Sequence, residues 1–388
     1  MILLEDRNTM DKIVYFDNAA TTPLSQEVLC EMKPYLTDFY GNANSVHTVG
    51  RQAVKGLDMA RETVADILGA DFNEIYFTSG GTESNNFALR GSFLAREKGR
   101  DKLVVSSIEH SAVLSTASEL EKQGAKLSMV KPDKNGYLLA SDYEKVGLSD
   151  CFLAGMMFAN NELGTIQPIK EFAKVCSNFG ALSFVDSVQA MGVTDIKVKD
   201  LGVSMLSFSG HKFGGPKGVG VLYIKNGVKV APLITGGYQE RSKRGGTSNV
   251  AGAVGLATAL KLSRIDLEKQ TANIRSVKDY FIKKVLSEIG GVTINGGENS
   301  LPGIVNITFK GIDGEALLYA LDLKGVCASL GAACSAGTIE PSRVLKEIGL
   351  SDIDAKSSIR FSFYKQNTTQ EVDYAVEVLK QAIKKVSG

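Results

Sequence analysis

Four segments of this chain bring together side chains of the kind that hold and activate a small charged ligand. Thr78-Ser79-Gly80-Gly81-Thr82-Glu83 joins an apolar run to a helical one, so its free N–H groups, the Thr82 hydroxyl and the helix dipole suit a phosphate. An ordinary tight turn is the competing reading. Ser209-Gly210-His211-Lys212-Phe213-Gly214-Gly215 sets a lysine directly after a strand and ahead of a glycine run. A lysine restricted there would be partly desolvated, which lowers its pKa and frees the amine for a Schiff base. Ser209 and His211 would then meet the phosphate from a second direction. The alternative is a solvated surface lysine, and Lys217 competes for the role. Leu182-Ser183-Phe184-Val185-Asp186 ends an apolar strand in a carboxylate, placed either for a cationic ring nitrogen or as a helix N-cap. Glu109-His110-Ser111 puts an imidazole at the end of another strand.

A phosphate cradle, a Schiff-base lysine, a carboxylate for a pyridinium and a flat ring for stacking are the functions that pyridoxal 5'-phosphate needs. The joint pattern is more specific than any member, because each part occupies a strand end. A fifth segment, Gly331-Ala332-Ala333-Cys334-Ser335-Ala336-Gly337, follows a strand near the C-terminus. Cys334 lacks the apolar neighbours of a core cysteine and reads either as a nucleophile or as an inert small residue. Cys327, inside the strand pattern, is expected to be the more buried of the two.

The elements that must position these groups alternate. Candidate strands Ile75–Thr78, Leu103–Ser106, Lys126–Val130, Phe152–Met157, Leu182–Asp186, Met205–Phe208 and Gly220–Ile224 are separated by helical stretches such as Ser84–Lys98, Ala112–Gln123 and Ile169–Phe179. Crossover connections of this kind predict an α/β fold with a largely parallel sheet covered on both faces. Ligands in such sheets bind where strand C-termini meet helix N-termini. A long helical region is expected from Asn249 to Glu288, with Ile274, Val277, Phe281 and Val285 on one face and a second domain beyond it. That smaller α+β domain reads as strands Val292–Ile294, Ile304–Thr308, Val326–Ser329 and Ile359–Phe363 with helices Gly314–Leu323 and Thr369–Lys385.

Composition narrows the function class. The chain has 388 residues, 44% hydrophobic and 22% charged, enough for two packed domains. Its 44 Lys and Arg against 43 Asp and Glu leave a net charge of +1, so nothing in the bulk charge favours nucleic acid or an anionic membrane. The one local basic cluster, Arg241, Lys243 and Arg244, beside a glycine loop, is better matched to an active site or a dimer contact. Five scattered cysteines without a Cys-x-x-Cys pair argue against a disulfide framework and against a zinc site. No metal is expected. Apolar stretches reach only about half the roughly 20 residues of a membrane span, and the N-terminus builds no signal-peptide apolar region, so a cytoplasmic protein is expected.

Phe16-Asp17-Asn18-Ala19-Ala20-Thr21-Thr22-Pro23, Thr78 to Asn86, Ala159-Asn160-Asn161-Glu162-Leu163-Gly164, Ser207 to Gly220 and Ala333-Cys334-Ser335 with Glu340-Pro341-Ser342-Arg343 resemble, in this order, the NifS/IscS-type cysteine desulfurases. The resemblance runs from about Tyr15 to the C-terminal helix. It implies a pyridoxal phosphate enzyme of fold type I, a class V aminotransferase-like homodimer. Its large domain would span residues 23–263, and its small domain residues 1–22 and 264–388. It further implies that Lys212 carries the cofactor, that Gly81, Thr82, Ser209 and His211 bind its phosphate, and that Thr247 reaches the phosphate of the partner subunit. His110 would stack on the ring, Asp186 would face the ring nitrogen, and Asn161 and Gln189 would face the ring hydroxyl. Arg360, with Asn42, would grip the carboxylate of L-cysteine, and Cys334 would take the sulfur as a persulfide for an iron–sulfur scaffold or a tRNA-thiolation enzyme. Two departures stand out: Gly41-Asn42-Ala43 replaces the usual Gly-Asn-Pro, and Ser329-Leu330-Gly331-Ala332-Ala333 replaces a serine-richer approach to the cysteine. A selenocysteine lyase or other class V enzyme shares the same cofactor site, and a non-catalytic pyridoxal-binding assembly protein is the reading from a different class.

Overall fold

The computed structural model describes residues 13–331 and 340–386. The expectations about Cys334 and about residues 1–12 and 387–388 lie outside them. Twelve strands run through these residues, beginning with β1, Val14–Tyr15. Seven form the main sheet: β2 Ile75–Thr78, β3 Lys102–Ser106, β4 Lys126–Val130, β5 Cys151–Gly155, β6 Leu182–Asp186, β7 Met205–Ser209 and β8 Gly220–Ile224. Their order is β2-β8-β7-β6-β5-β3-β4. The pairs from β7 to β4 are parallel, while β8 is antiparallel to both β7 and β2. The sheet is therefore mostly parallel, and the single reversed strand leaves β2 pointing the same way as β7. Five strands that carry site residues thus deliver their C-terminal ends to one edge.

Alternation along the strands explains the layers. Leu103 and Val105 pack with Phe87, Leu89, Val113 and Leu120, from helices Gly81–Ala95 and Ser111–Lys122, on one face. Val104, Val185 and Leu206 face the other way, into a core with Leu57, Val64, Leu256 and Leu260 from helices Thr48–Leu68 and Val250–Arg264. Side chains that alternate with period two cover both faces only when each face has its own helices.

The long helical region expected from Asn249 to Glu288 divides into two helices, Val250–Arg264 and Leu267–Glu288. Between them Asp266 takes a left-handed conformation, φ +50°, which a continuous right-handed helix cannot contain. The apolar spacing on either side is helical in both cases, so periodicity alone misses the break. The second helix still presents Ile274, Phe281 and Val285 to a separate core, with Val277 packed at its margin.

That core includes β9 Val292–Asn295, β10 Ile304–Phe309, β11 Val326–Cys327 and β12 Ser358–Ser362. Strands β12-β10-β9 form an antiparallel sheet, and the helix Thr369–Val386 adds Val372, Val376 and Leu379. Phe281 sits at its centre, with ring centroids 4.8 Å from Phe361, 5.4 Å from Phe363 and 6.1 Å from Phe16. Val14 and Phe16 belong to this core although they come from the start of the chain, because β1 runs parallel to β11. The expected strand Val326–Ser329 is shorter than its pattern: regular pairing ends at Cys327, and Ser329 instead makes a bridge to Arg360. Cys327 is half-buried, and among the described residues Cys151 and Cys176 are the buried cysteines.

Candidate active site

Each strand end delivers its side chain by local geometry. After β2 the chain turns through Gly80, at φ +155°, a conformation open to glycine and little else, and starts the helix Gly81–Ala95 with no side-chain cap. The leading N–H groups therefore face the sheet edge. A Cβ on Gly81 would come within 2.8 Å of Val188 Cγ2, so only glycine lets this turn lie so close to the segment after β6. Strand β7 ends at Ser209 and tightens into a one-turn helix, Gly210–Lys212. Lys212 Nζ donates to the carbonyls of Ala19 at 2.6 Å and Ala20 at 2.9 Å, tying the early segment across the cavity mouth. Gln189 Nε2 donates to the same Ala19 carbonyl.

Asp186 is buried at the end of β6 with both oxygens held. Val188 N–H donates to Oδ1 at 3.0 Å and Asn85 Nδ2 to Oδ2 at 2.7 Å, and Asn85 is in turn oriented by the Ser207 hydroxyl. No helix starts after Asp186, so the N-cap reading does not hold: its carboxylate accepts the Val188 N–H within a turn and lines the cavity. His110 caps the helix Ser111–Lys122 by accepting the Ala112 N–H on Nδ1. That contact leaves the proton of the neutral ring on Nε2. Burial pushes the His110 pKa down, with Lys212 and Arg343 acting in the same direction and the Asp186 charge opposing them. Burial, with Lys212 and Lys217, lowers that of His211 to about 4. His211 Nδ1 lies 3.1 Å from Thr21 Oγ1.

Asn161 is presented by a loop that Asn160 staples. The Asn160 side chain accepts from the N–H groups of Glu162 and Leu163 and donates to the Ile108 carbonyl, joining the turns after β5 and β3. From β12, Arg360 donates through Nη1 to the Asn161 carbonyl at 2.9 Å and through Nη2 to Asp17 Oδ1 at 2.8 Å. Gly81, Thr82, His110, Asn161, Asp186, Gln189, Ser209, His211, Lys212 and Arg360 all line one cavity of about 230 Å³. Ten groups expected from the sequence therefore meet in one place. Asn42 and Thr247 do not: both are exposed and lie outside that lining. No group of three or more His, Cys, Asp or Glu that could hold a metal occurs among the described residues.

Several further residues were not legible beforehand. Glu109 is buried, accepts from the Ser106 hydroxyl at 2.5 Å and the Met157 N–H at 2.7 Å, and has its pKa raised by burial to about 8. Arg343 Nη2 donates to the Glu109 carbonyl. Glu162 accepts from the Ser342 hydroxyl, with its pKa also raised by burial. Adjacency to His110 and to Asn161 was the available signal for the two carboxylates.

The donor set fits pyridoxal 5'-phosphate: an uncapped helix start for the phosphate, a fixed carboxylate for the ring nitrogen, a neutral imidazole for the ring face and an amine in the cavity lining. The model of the class V aminotransferases matches residues 14–375. The chain belongs to that family. A curated relative, the cysteine desulfurase IscS of Clostridium botulinum, is 42% identical over 97% of this chain and 95% of its own length. A solved structure described as a NifS-like protein is 36% identical with a TM-score of 0.91, covering 96% of this chain and all of its own. Another, described as SspA in complex with cysteine, is 35% identical with a TM-score of 0.82, covering 91% of this chain and 99% of its own. This class V chain is a pyridoxal-phosphate-dependent enzyme of the cysteine desulfurase branch, with the α/β fold of its NifS-like neighbours. No helix among its described residues is long and apolar enough to cross a membrane.

Proposed function

We propose that this enzyme converts L-cysteine to L-alanine and transfers the sulfur to Cys334. The observation that carries the reading is that Lys212, Asp186, His110 and Arg360, from four separate strands or strand ends, line a single cavity. The cysteine complex of the related structure supports the substrate. Arg360 takes the substrate carboxylate and fixes which face of the α-carbon is presented. Bound on Lys212, the cofactor supplies an electron-withdrawing ring. Asp186 keeps the ring nitrogen protonated, and Gly81, Thr82, Ser209 and His211 hold the phosphate. The Lys212 amine moves the proton at the α-carbon. The Cys334 thiolate then attacks the substrate sulfur: an S–S bond forms, the C–S bond breaks, and its electron pair remains with carbon, which is protonated to give alanine.

The proposal includes a homodimer in which Thr247 completes the partner's phosphate site, and a division into a large domain, 23–263, and a small one, 1–22 with 264–388. It places the enzyme in the cytoplasm, with an iron–sulfur scaffold or a tRNA-thiolation enzyme accepting the sulfur. The test measures alanine and sulfide together from L-cysteine and a reductant. Equal amounts are expected, with Cys334→Ala abolishing the enzyme persulfide while the bound chromophore stays. A persulfide retained in that variant would remove Cys334 from the mechanism.

A further inference from the structure

Arg360 carries an asymmetry that its role as a carboxylate grip does not explain. It is 2% exposed, its two terminal nitrogens are engaged by the Asn161 carbonyl and by Asp17, and its Nε is buried without a hydrogen-bond partner among the described residues. A purely structural ion pair in an interior tends to satisfy every donor, because an unpaired buried N–H costs desolvation energy. Here one edge of the guanidinium is closed by an internal carboxylate, while the residue still lines the cavity.

Asp17 is rigidly placed. Its backbone bridges to Ser362 on β12, the next N–H, of Asn18, donates to the Ser362 carbonyl, and the Ala19 N–H donates to the Ser362 hydroxyl at 2.8 Å. The Asp17 carboxylate is therefore fixed beside Arg360 rather than swinging in from solvent. The other nearby acid, Glu162, is taken up by Ser342.

We propose that Asp17 is a positioning residue that aligns Arg360 for the amino-acid carboxylate and, by balancing its charge, weakens the grip enough for the product to leave. The inference rests on the reading of Arg360 as the carboxylate site. A substrate carboxylate on Arg360 would lie near the Asp17 carboxylate, and like charges held close in a desolvated site oppose binding. An unbalanced buried guanidinium would hold any amino-acid carboxylate, product included, more tightly.

The test uses holoenzyme carrying Asp17→Asn, which keeps an acceptor oxygen for Arg360 but removes the charge. Asp17→Ser carries the same prediction should the first variant fold poorly. The KM for L-cysteine and the inhibition constant for L-alanine are expected to fall together by about fivefold or more. The concentration at which L-cysteine methyl ester perturbs the cofactor absorbance should change less than twofold, since the ester offers Arg360 no charge. Unchanged constants for both amino acids, or an ester shifted in parallel with them, would overturn the proposal. Arg360→Lys separates the two levels: a KM left unchanged in that variant removes the underlying carboxylate reading, whereas a raised KM with a silent Asp17→Asn defeats the Asp17 inference alone.

Discussion

The cavity has a floor and a wall of different construction. The floor consists of strand ends and the turns after them in the main sheet: Asp186 closes β6, and Gly81, His110 and Lys212 lie in the turns after β2, β3 and β7. The wall is Ala19, Ala20 and Arg360, with Arg360 joined to Asp17 across 343 residues of sequence. On the proposed assignments, cofactor chemistry rests on local geometry, and substrate recognition rests on the meeting of the two ends of the chain. The two functions can be damaged separately.

The largest effect should come from the floor. Lys212→Ala is expected to abolish turnover and the chromophore characteristic of the lysine-bound cofactor; a variant retaining that absorbance would break the assignment of the floor. Next comes the support of the wall. Phe281→Ala removes a fully buried ring between Phe16 and Phe361, the residues adjacent to Asp17 and Arg360, and should cost about 3–5 kcal/mol of stability. Denaturant titration measures that loss, and the KM for cysteine should rise while the chromophore persists. Loss of the chromophore at native temperature would show that floor and wall are not separable.

A smaller effect tests the floor's electrostatics. Burial raises the Glu109 pKa to about 8 from an ordinary 4.5, so between these values the folded state holds a proton that the unfolded state releases. Stability from this group is therefore lost as pH rises from about 4.5 to 8. Glu109→Gln should melt higher relative to wild type at pH 8 than at pH 6, by scanning calorimetry on the holoenzyme. A difference independent of pH would mean that the carboxylate stays ionised throughout. His211, lowered to about 4, acts with the opposite sign, its contribution being lost as pH falls from about 6.5 to 4.

The same contrast decides what could be read from the sequence. Strands Ile75–Thr78, Lys102–Ser106, Leu182–Asp186 and Met205–Ser209 end within a residue of where their apolar runs end, so the floor residues at and after their ends are legible as a set. Asp17, Glu162 and Arg343 are not, because a charge in a turn or at a helix start acquires meaning only from what a distant segment places beside it. Arg360 itself came from resemblance, since an arginine in an apolar strand has no local signature of a ligand. The break at Asp266 was hidden for another reason: a left-handed residue interrupts a helix without changing the spacing of its apolar residues.

The pairing of Asp17 with Arg360 also sets an order of events during synthesis. Residues of the floor emerge from the ribosome by Lys212, whereas the strand that carries Arg360 is nearly the last element made. Contacts of such sequence separation form late, after the loop between them has been closed. The nascent chain can therefore bring the strand ends of the main sheet together well before Arg360 meets Asp17. With Arg360 as the proposed carboxylate grip, selection among amino acids begins only when the C-terminal strand has docked.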